Sequence, residues 1–431
     1  MLACPKIFFA AEGASSDPMI RRGFVIASWR MLLAATALSM AASPESPLPS
    51  AMVLEGAYSA EVMTVVRGGL QRGSVYRGLA ETAMQVDLAS AFGAPAATVF
   101  RVSGMMPHGG DLSGARIGDL QGASNIVAYN HAVLYELWLG GKVAGDFADW
   151  RIGRLLADAD FATTESGGAL LNSSFGWPAF ISGNTLNTGP AYDRSALGVF
   201  GKLGVTSKLN LQVGCYDGDS LDDANGDPSH YPDGLHFELG HGQGYFAIGE
   251  ISLDTTCGPS TATLPGTIKI GAWSHSASFA DQFDPECKHS GNHGFYFVGE
   301  QMLWRETDSR PDSPQGLTAF ARTGVSPGDR SRFSQTADAG LSYRGLLANR
   351  PADTFSLGLA WVRISSEARR AEITAGTTVI SDYELAVEVS YQFTVHEHWR
   401  IVPDVQWIRH PGASRLLGDA LVVGLRTRVE M

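Results

Sequence analysis

A chain of 431 residues, 44% hydrophobic and 18% charged, is long enough for several domains or one large barrel, and its net charge of -12 excludes the basic surface a nucleic-acid partner requires. Fifty glycines suit a chain with many tight turns and argue against a helix-rich enzyme. No apolar run reaches the ~18 residues of a membrane helix, so any crossing of a bilayer would fall to strands.

In chain order, the first feature is MLLAATALSMAA, Met31 to Ala42, which follows Arg21, Arg22 and Arg30 and precedes SPESPLP. Basic, apolar and small-residue regions in that order read as a secretory signal, with cleavage expected near Ala41 or Ala42. The residues before Met19 fit no part of a signal, which points to a true start at Met19; a disordered N-terminal extension is the alternative.

From residue 53 onward, apolar and polar residues alternate in segments parted by Gly, Pro, Asn and Asp, and none keeps a helical period. Strands are predicted near 53–66, 75–88, 97–105, 131–140, 149–157, 196–204, 208–216 and 245–254. They continue near 266–275, 293–304, 316–325, 335–345, 354–364, 382–395, 399–409 and 419–431, about sixteen in all. The clearest is DYELAVEVSYQFTV, Asp382 to Val395. It sets Tyr383, Leu385, Val387, Val389, Tyr391, Phe393 and Val395 on one side, and Glu384, Glu388, Ser390 and Gln392 on the other.

Such alternation serves either a soluble sandwich or a membrane barrel with lipid outside and a wet lumen inside. Strand length favours the barrel, since a tilted spanning strand needs ~9–11 residues. Loop lengths agree. Short connections, VTSK at 205–208 and HEHW at 396–399, take turns with long ones at 156–195, 217–244 and 365–381.

The expected fold is therefore all-β: a closed antiparallel transmembrane barrel over 53–431, with 1–42 as extension and signal and 43–52 as a short periplasmic lead. An even strand count puts both barrel ends in the periplasm. Glu384 and Glu388 then belong to a water-filled lumen.

Several passages in order along the chain resemble the carbohydrate-selective porins of the bacterial outer membrane, the OprB-type family. They include GDLQGASNI (118–126), LYELWL (134–139), LLNSSFGWPA (170–179), LPGTIKIGAWSHS (264–276), GEQMLWRE (299–306), DAGLSYRGLL (338–347) and DALVVGLRTRV (419–429). The resemblance implies passive diffusion of sugars, glucose-like monosaccharides first, with no cofactor. Implied surroundings are outer-membrane lipid, lipopolysaccharide and the assembly machinery, with the barrel acting as a monomer or homotrimer. The chain departs from the pattern at its end, Met431, where docking on that machinery usually uses an aromatic residue.

A pore selective for a neutral sugar needs polar brackets beside an aromatic platform and only weak affinity. In TIKIGAWSHS, alternation sends Lys269, Trp273 and His275 inward, with Trp273 the first stacking candidate and a lipid-interface role its alternative. LYELWL puts Glu136 and Trp138 inward if Tyr135, Leu137 and Leu139 meet lipid. Arg77, Glu81, Gln85, Arg101, Arg151 and Arg322 line the same lumen, either as a transverse field or as solvated wall residues and structural ion pairs.

The apolar LLNSSFGWPAF inside the 156–195 connection would be costly in water, so that loop is expected to fold back. Asn172, Phe175 and Trp177 are eyelet candidates with Asp158 and Asp160 beside them, or else they only pin the loop to the wall.

The aspartates between Asp217 and Asp227 lack EF-hand spacing and read as a solvated acidic loop, with no metal site expected. GHGQGYFA at 240–247 lacks a following helix, and the histidines of HEHW are two apart. Cys257 and Cys287 fall at opposite ends of one predicted strand, too far apart for a disulfide, while Cys215 with Cys287 stays open. The competing functions are a general diffusion pore and an outer-membrane barrel enzyme; the latter wants reactive groups facing lipid, whereas Ser, Arg and Glu gather on the lumen side.

Overall fold

The computed structural model describes residues 51–94, 97–143, 145, 147–223, 226–229, 231–239, 242–257, 263–306, 313–376 and 381–431. The signal segment, most of the periplasmic lead and the start of GHGQGYFA lie outside the described residues.

The first eight strands are β1 (Met52–Arg67), β2 (Gly73–Asp87), β3 (Thr98–Gly109), β4 (Val133–Val143), β5 (Ala148–Leu155), β6 (Ala196–Gly204), β7 (Leu209–Asp217) and β8 (Tyr245–Cys257). The second eight are β9 (Leu264–Ala280), β10 (Lys288–Arg305), β11 (Gly316–Val325), β12 (Phe333–Arg344), β13 (Thr354–Ile364), β14 (Tyr383–His396), β15 (Trp399–Arg409) and β16 (Ala420–Glu430). Each pairs antiparallel with its neighbours in sequence, and β1 pairs with β16 from Ala57↔Glu430 to Arg67↔Leu421, so the sheet closes with no free edge. Among the described residues no helix is long and apolar enough to cross a membrane.

The usual distribution of polarity is inverted. Val62, Ile152, Val213, Ile251, Ile270, Phe295, Leu359 and Leu425 are exposed on the outside, while Glu61, Arg77, Glu250, Arg322, Glu384 and Gln406 are buried inside. That is the pattern of a wall facing hydrocarbon. Trp304 and Trp399, near the turn end, and Trp407, near the loop end, add exposed aromatics at the edges of this band.

Three differences from the sequence reading have physical causes. β9 and β10 run to 17 and 18 residues because the pairing continues where the outward residues are Ser274, Ser276 and Ser278, so the apolar signal fades while the hydrogen bonds persist. Loop lengths do not alternate strictly: the 68–72 connection is tight although it shares an end with the long 110–132 and 156–195 loops. Tyr135, expected toward lipid, packs on Tyr192 inside the barrel. Ser103 pairs with Glu136 and Gly104 with Leu134, so Tyr135 is an extra residue in a bulge, and a bulge turns a side chain to the other face.

The interior is largely filled. From the β5–β6 loop (156–195), Phe161, Trp177, Phe180 and Ile181 pack on Phe200, Tyr216, Phe246, Trp273 and Tyr296 of the wall. Leu170 and Phe175 of the same loop join Leu112 and Ile117 of the β3–β4 loop (110–132) against Met63, Phe320, Ala386 and Ile408. Wall glycines seat these rings: a Cβ on Gly324 would lie 2.3 Å from Phe180 Cγ, and one on Gly358 would lie 2.4 Å from Phe175 Cζ. At ~1.5–3 kcal/mol per buried large apolar side chain, this packing is what draws the two loops into the barrel.

Candidate pore lining and the loops that narrow it

Loops inserted into a barrel bring backbone N–H and C=O groups that need partners. Wall side chains supply them. Glu384 accepts from the N–H groups of Leu120 (2.9 Å), Gln121 (3.1 Å) and Gly412 (2.7 Å), and Glu388 from those of Leu171 (2.5 Å) and Asn172 (2.9 Å). Glu250 takes Ala162 N–H at 2.9 Å, and Glu300 takes those of Glu165 and Ser166 at 3.0 and 2.7 Å. Glu61 takes Ser124 Oγ at 2.5 Å and is paired with Arg426.

Guanidiniums bind the carbonyls. Arg322 donates to Ala162, Gly176 and Ser174 (2.9, 2.9 and 2.6 Å) while paired with Asp338, and Arg77 donates to Ile126 and Gly110 (3.0 and 2.7 Å). The loops also join each other through Ser173 N–H to Gly122 O (2.8 Å) and Asn125 N–H to Leu171 O (2.7 Å).

This corrects the reading of Glu384, Glu388, Arg77 and Arg322 as water-facing wall. They lie on the lumen side, as alternation requires, but are 0–3% exposed because loop backbone covers them. The partners Glu61, Glu250 and Glu300 were missed. The isolated acids at alternate positions of MVLEGAYSAEVM were the available signal for Glu61, and also for Glu55.

The eyelet candidates are placed differently from one another. Asn172 and Phe175 are buried, the first on Gln406 (3.2 Å) and the second edge-on to Phe320, so both side chains anchor the loop instead of meeting water. Trp177 is 8% exposed and donates to Thr188 O, and Trp273, though inward, is 2% exposed beneath the loop. Lys269 binds Thr163 through its carbonyl and hydroxyl oxygens at 2.9 and 2.8 Å, and His275 bonds to Gly218 O. Asp158 accepts from Tyr192 N–H at 2.8 Å, and burial pushes its carboxyl up to about 6.

Other inward residues, some of them predicted, keep partial exposure to solvent. Arg101 bridges Glu55 (3.0 Å) and Glu136 (3.3 Å), and Glu136 also accepts from Ser103 Oγ and Trp138 Nε1, both at 3.0 Å. Arg151 pairs with Asp160 at 2.5 Å, with its guanidinium 4.2 Å from the Phe200 ring centroid and 5.7 Å from that of Trp138. Arg428 pairs with Glu81 (2.6 Å) and Glu430 (2.7 Å), and Glu430 with Arg400 (3.2 Å). These side chains on β15, β16 and β1–β5, with Asp160 of the β5–β6 loop, are partly exposed and form a belt of paired charges along one side of the lumen. Paired charges present many donors and acceptors with little net field, a lining suited to an uncharged, hydroxyl-rich solute.

A closed sixteen-stranded barrel with an apolar outer wall, a polar inner wall and loops folded into its lumen has the architecture of a transmembrane barrel of the porin type. More narrowly, the model of the carbohydrate-selective porin, OprB family, matches residues 71–431, and the chain belongs to that family. Porin B of Pseudomonas aeruginosa is 23% identical over 240 residues, covering 50% of each chain. The putative porin QuiX of Acinetobacter baylyi is 26% identical over 180 residues, covering 38% of this chain and 40% of its own. The chain thus spans about half the length, or less, of these curated relatives. A solved structure of Pseudomonas putida OprB superposes with a TM-score of 0.77 at 20% identity, covering 88% of this chain and 94% of that one, and so shares the fold.

Proposed function

We propose that this protein is a passive channel for sugars, glucose-like monosaccharides first, across the bacterial outer membrane, reached by export under the 31–42 signal segment. The observation that carries the reading is the belt Glu55–Arg101–Glu136–Trp138–Arg151–Asp160. Carboxylates and guanidiniums there bracket an indole edge, which offers hydroxyl partners and an apolar ring face together. Weak pairwise contacts of this kind let a solute enter and leave, as conduction requires.

Trp138 and Arg151, partly open to water, are the favoured contact residues. Trp177, Trp273, Phe175 and Asn172 act on selectivity through the position of the β5–β6 loop. Liposome swelling with a panel of sugars and ions of matched size tests this reading. Faster swelling with glucose than with a same-sized anion or cation supports it, and ranking by size alone would make the protein a general diffusion pore.

A further inference from the structure

The β7–β8 loop (218–244) closes around a histidine, not into solvent as its acidic composition suggested. His236 is 1% exposed, Asp219 2% and Asp217, the last residue of β7, 3%. His236 Nε2 lies 2.5 Å from Asp222 Oδ2, which fixes the ring and turns Nδ1 toward Asp217, 3.7 Å from its Oδ2. Tyr231 packs edge-on against the imidazole, with ring centroids 4.6 Å apart. Both carboxylate oxygens of Asp217, Oδ2 of Asp219, Oδ1 of Asp222 and Nδ1 of His236 are buried with no hydrogen-bond partner in the protein. Arg154 and Arg194 are the cations nearby; Arg154 gives its N–H groups to Ser195 and to the His236 carbonyl, and Arg194 donates to Tyr231 O at 2.8 Å and lies beside Asp193.

Buried donors and acceptors are nearly always satisfied, so these orphans, with His236 Nδ1 and Asp217 Oδ2 facing each other, call for an outside partner. A separation of 3.7 Å is too long for a hydrogen bond. Two donors held ~2.0–2.1 Å from one metal ion and spread by ~110–120° stand ~3.3–3.6 Å apart, close to what is found. A carboxylate on the far ring nitrogen, as Asp222 provides, is the usual support of a metal-binding histidine.

We propose that Asp217 and His236 Nδ1 bind a divalent transition metal ion such as zinc, with Asp219 and water completing its shell. No three such donors meet at one point among the described residues, so Asp219 turns to make the third protein bond. An imidazole with carboxylates suits zinc or manganese better than calcium, which takes oxygen ligands. The bound ion clamps the β7–β8 loop to the β5–β6 loop, whose Asn187 already donates to Asp219 Oδ1 (2.8 Å) and Asp223 O (3.0 Å).

The test uses the full-length porin in detergent, stripped with chelator and titrated calorimetrically with Zn²⁺, with Mn²⁺ and Ca²⁺ in parallel. One Zn²⁺ per barrel is expected, bound at least tenfold more tightly than Ca²⁺. Asp217→Asn and His236→Gln should each weaken it by about tenfold or more, while Asp281→Asn in the β9–β10 connection leaves it unchanged. Retained heat-modifiable migration on gels shows that each variant still forms the barrel. Zn²⁺ should also slow proteolysis within 218–244 in the wild type and not in the two variants. Absence of stoichiometric uptake, or uptake equal in wild type and both variants, overturns the proposal; so does stabilisation of this loop by acid alone with no bound metal.

Discussion

Glu384 and Glu388 stand four positions apart on β14, each with its carboxylate beneath an inserted loop. Removing one leaves two or three loop N–H groups buried without an acceptor, at ~1–3 kcal/mol per group. Glu388→Ala is therefore expected to destabilise the barrel by roughly 2–5 kcal/mol, read as a lower midpoint in urea, with Glu388→Gln intermediate because its amide keeps one acceptor. A midpoint unchanged in Glu388→Ala would mean that Leu171 and Asn172 are not held there. Trp138→Ala, at the belt, is expected to leave the midpoint nearly unchanged and to weaken sugar affinity by ~5-fold, since ring packing is worth ~0.5–1.5 kcal/mol. Current block by glucose in single channels measures it.

The side of the wall on which each of these residues lies was legible in the sequence, because alternation has only two outcomes. What covers them was not. Whether Glu388 meets water or a backbone N–H depends on a contact more than two hundred residues away in sequence, which no local pattern encodes.

At the scale of elements, the sixteen strands fell close to the predicted ranges because each carries its own period of two, and the apolar centre of the β5–β6 loop announced its burial. The exceptions have local causes: a single inserted residue at Tyr135, and a hairpin that outruns its apolar band. The two inserted loops carry a pH dependence of definite sign. Burial pushes both Asp119 in the β3–β4 loop and Asp158 in the β5–β6 loop up to about 6. Unfolded, each carboxyl loses its proton near ~3.9, so the folded loops hold more protons between ~4 and ~6.

The stability these carboxyls contribute is thus complete below ~4 and lost as pH rises through about 6. Amide exchange, corrected for its intrinsic pH dependence, should be faster in 110–132 and 156–195 at pH 7.5 than at pH 5. Asp281, in the β9–β10 connection, runs the other way. Hydrogen bonds from Asp284 N–H, His289 and Phe283 N–H hold its carboxyl down to about 2. The tip of that hairpin should therefore be tight above ~4 and loosen as pH falls through about 2, so equal protection at pH 5 and pH 2 would count against this assignment.

At the scale of the whole molecule, closure of β1 on β16 satisfies every strand edge, which lets an inverted wall stand in lipid. The family and the barrel were legible in the ordered sequence passages and strand count. Which inward residues stay exposed was not, because that depends on how two loops pack against the wall, leaving partly exposed pairs such as Arg101–Glu136 and Arg151–Asp160. The most direct measurement is ion current through single channels in planar bilayers as glucose is added. A saturable fall in current is expected, weakened in both Trp138→Ala and Arg151→Ala. A fall that only follows solution viscosity, alike in wild type and variants, would contradict it.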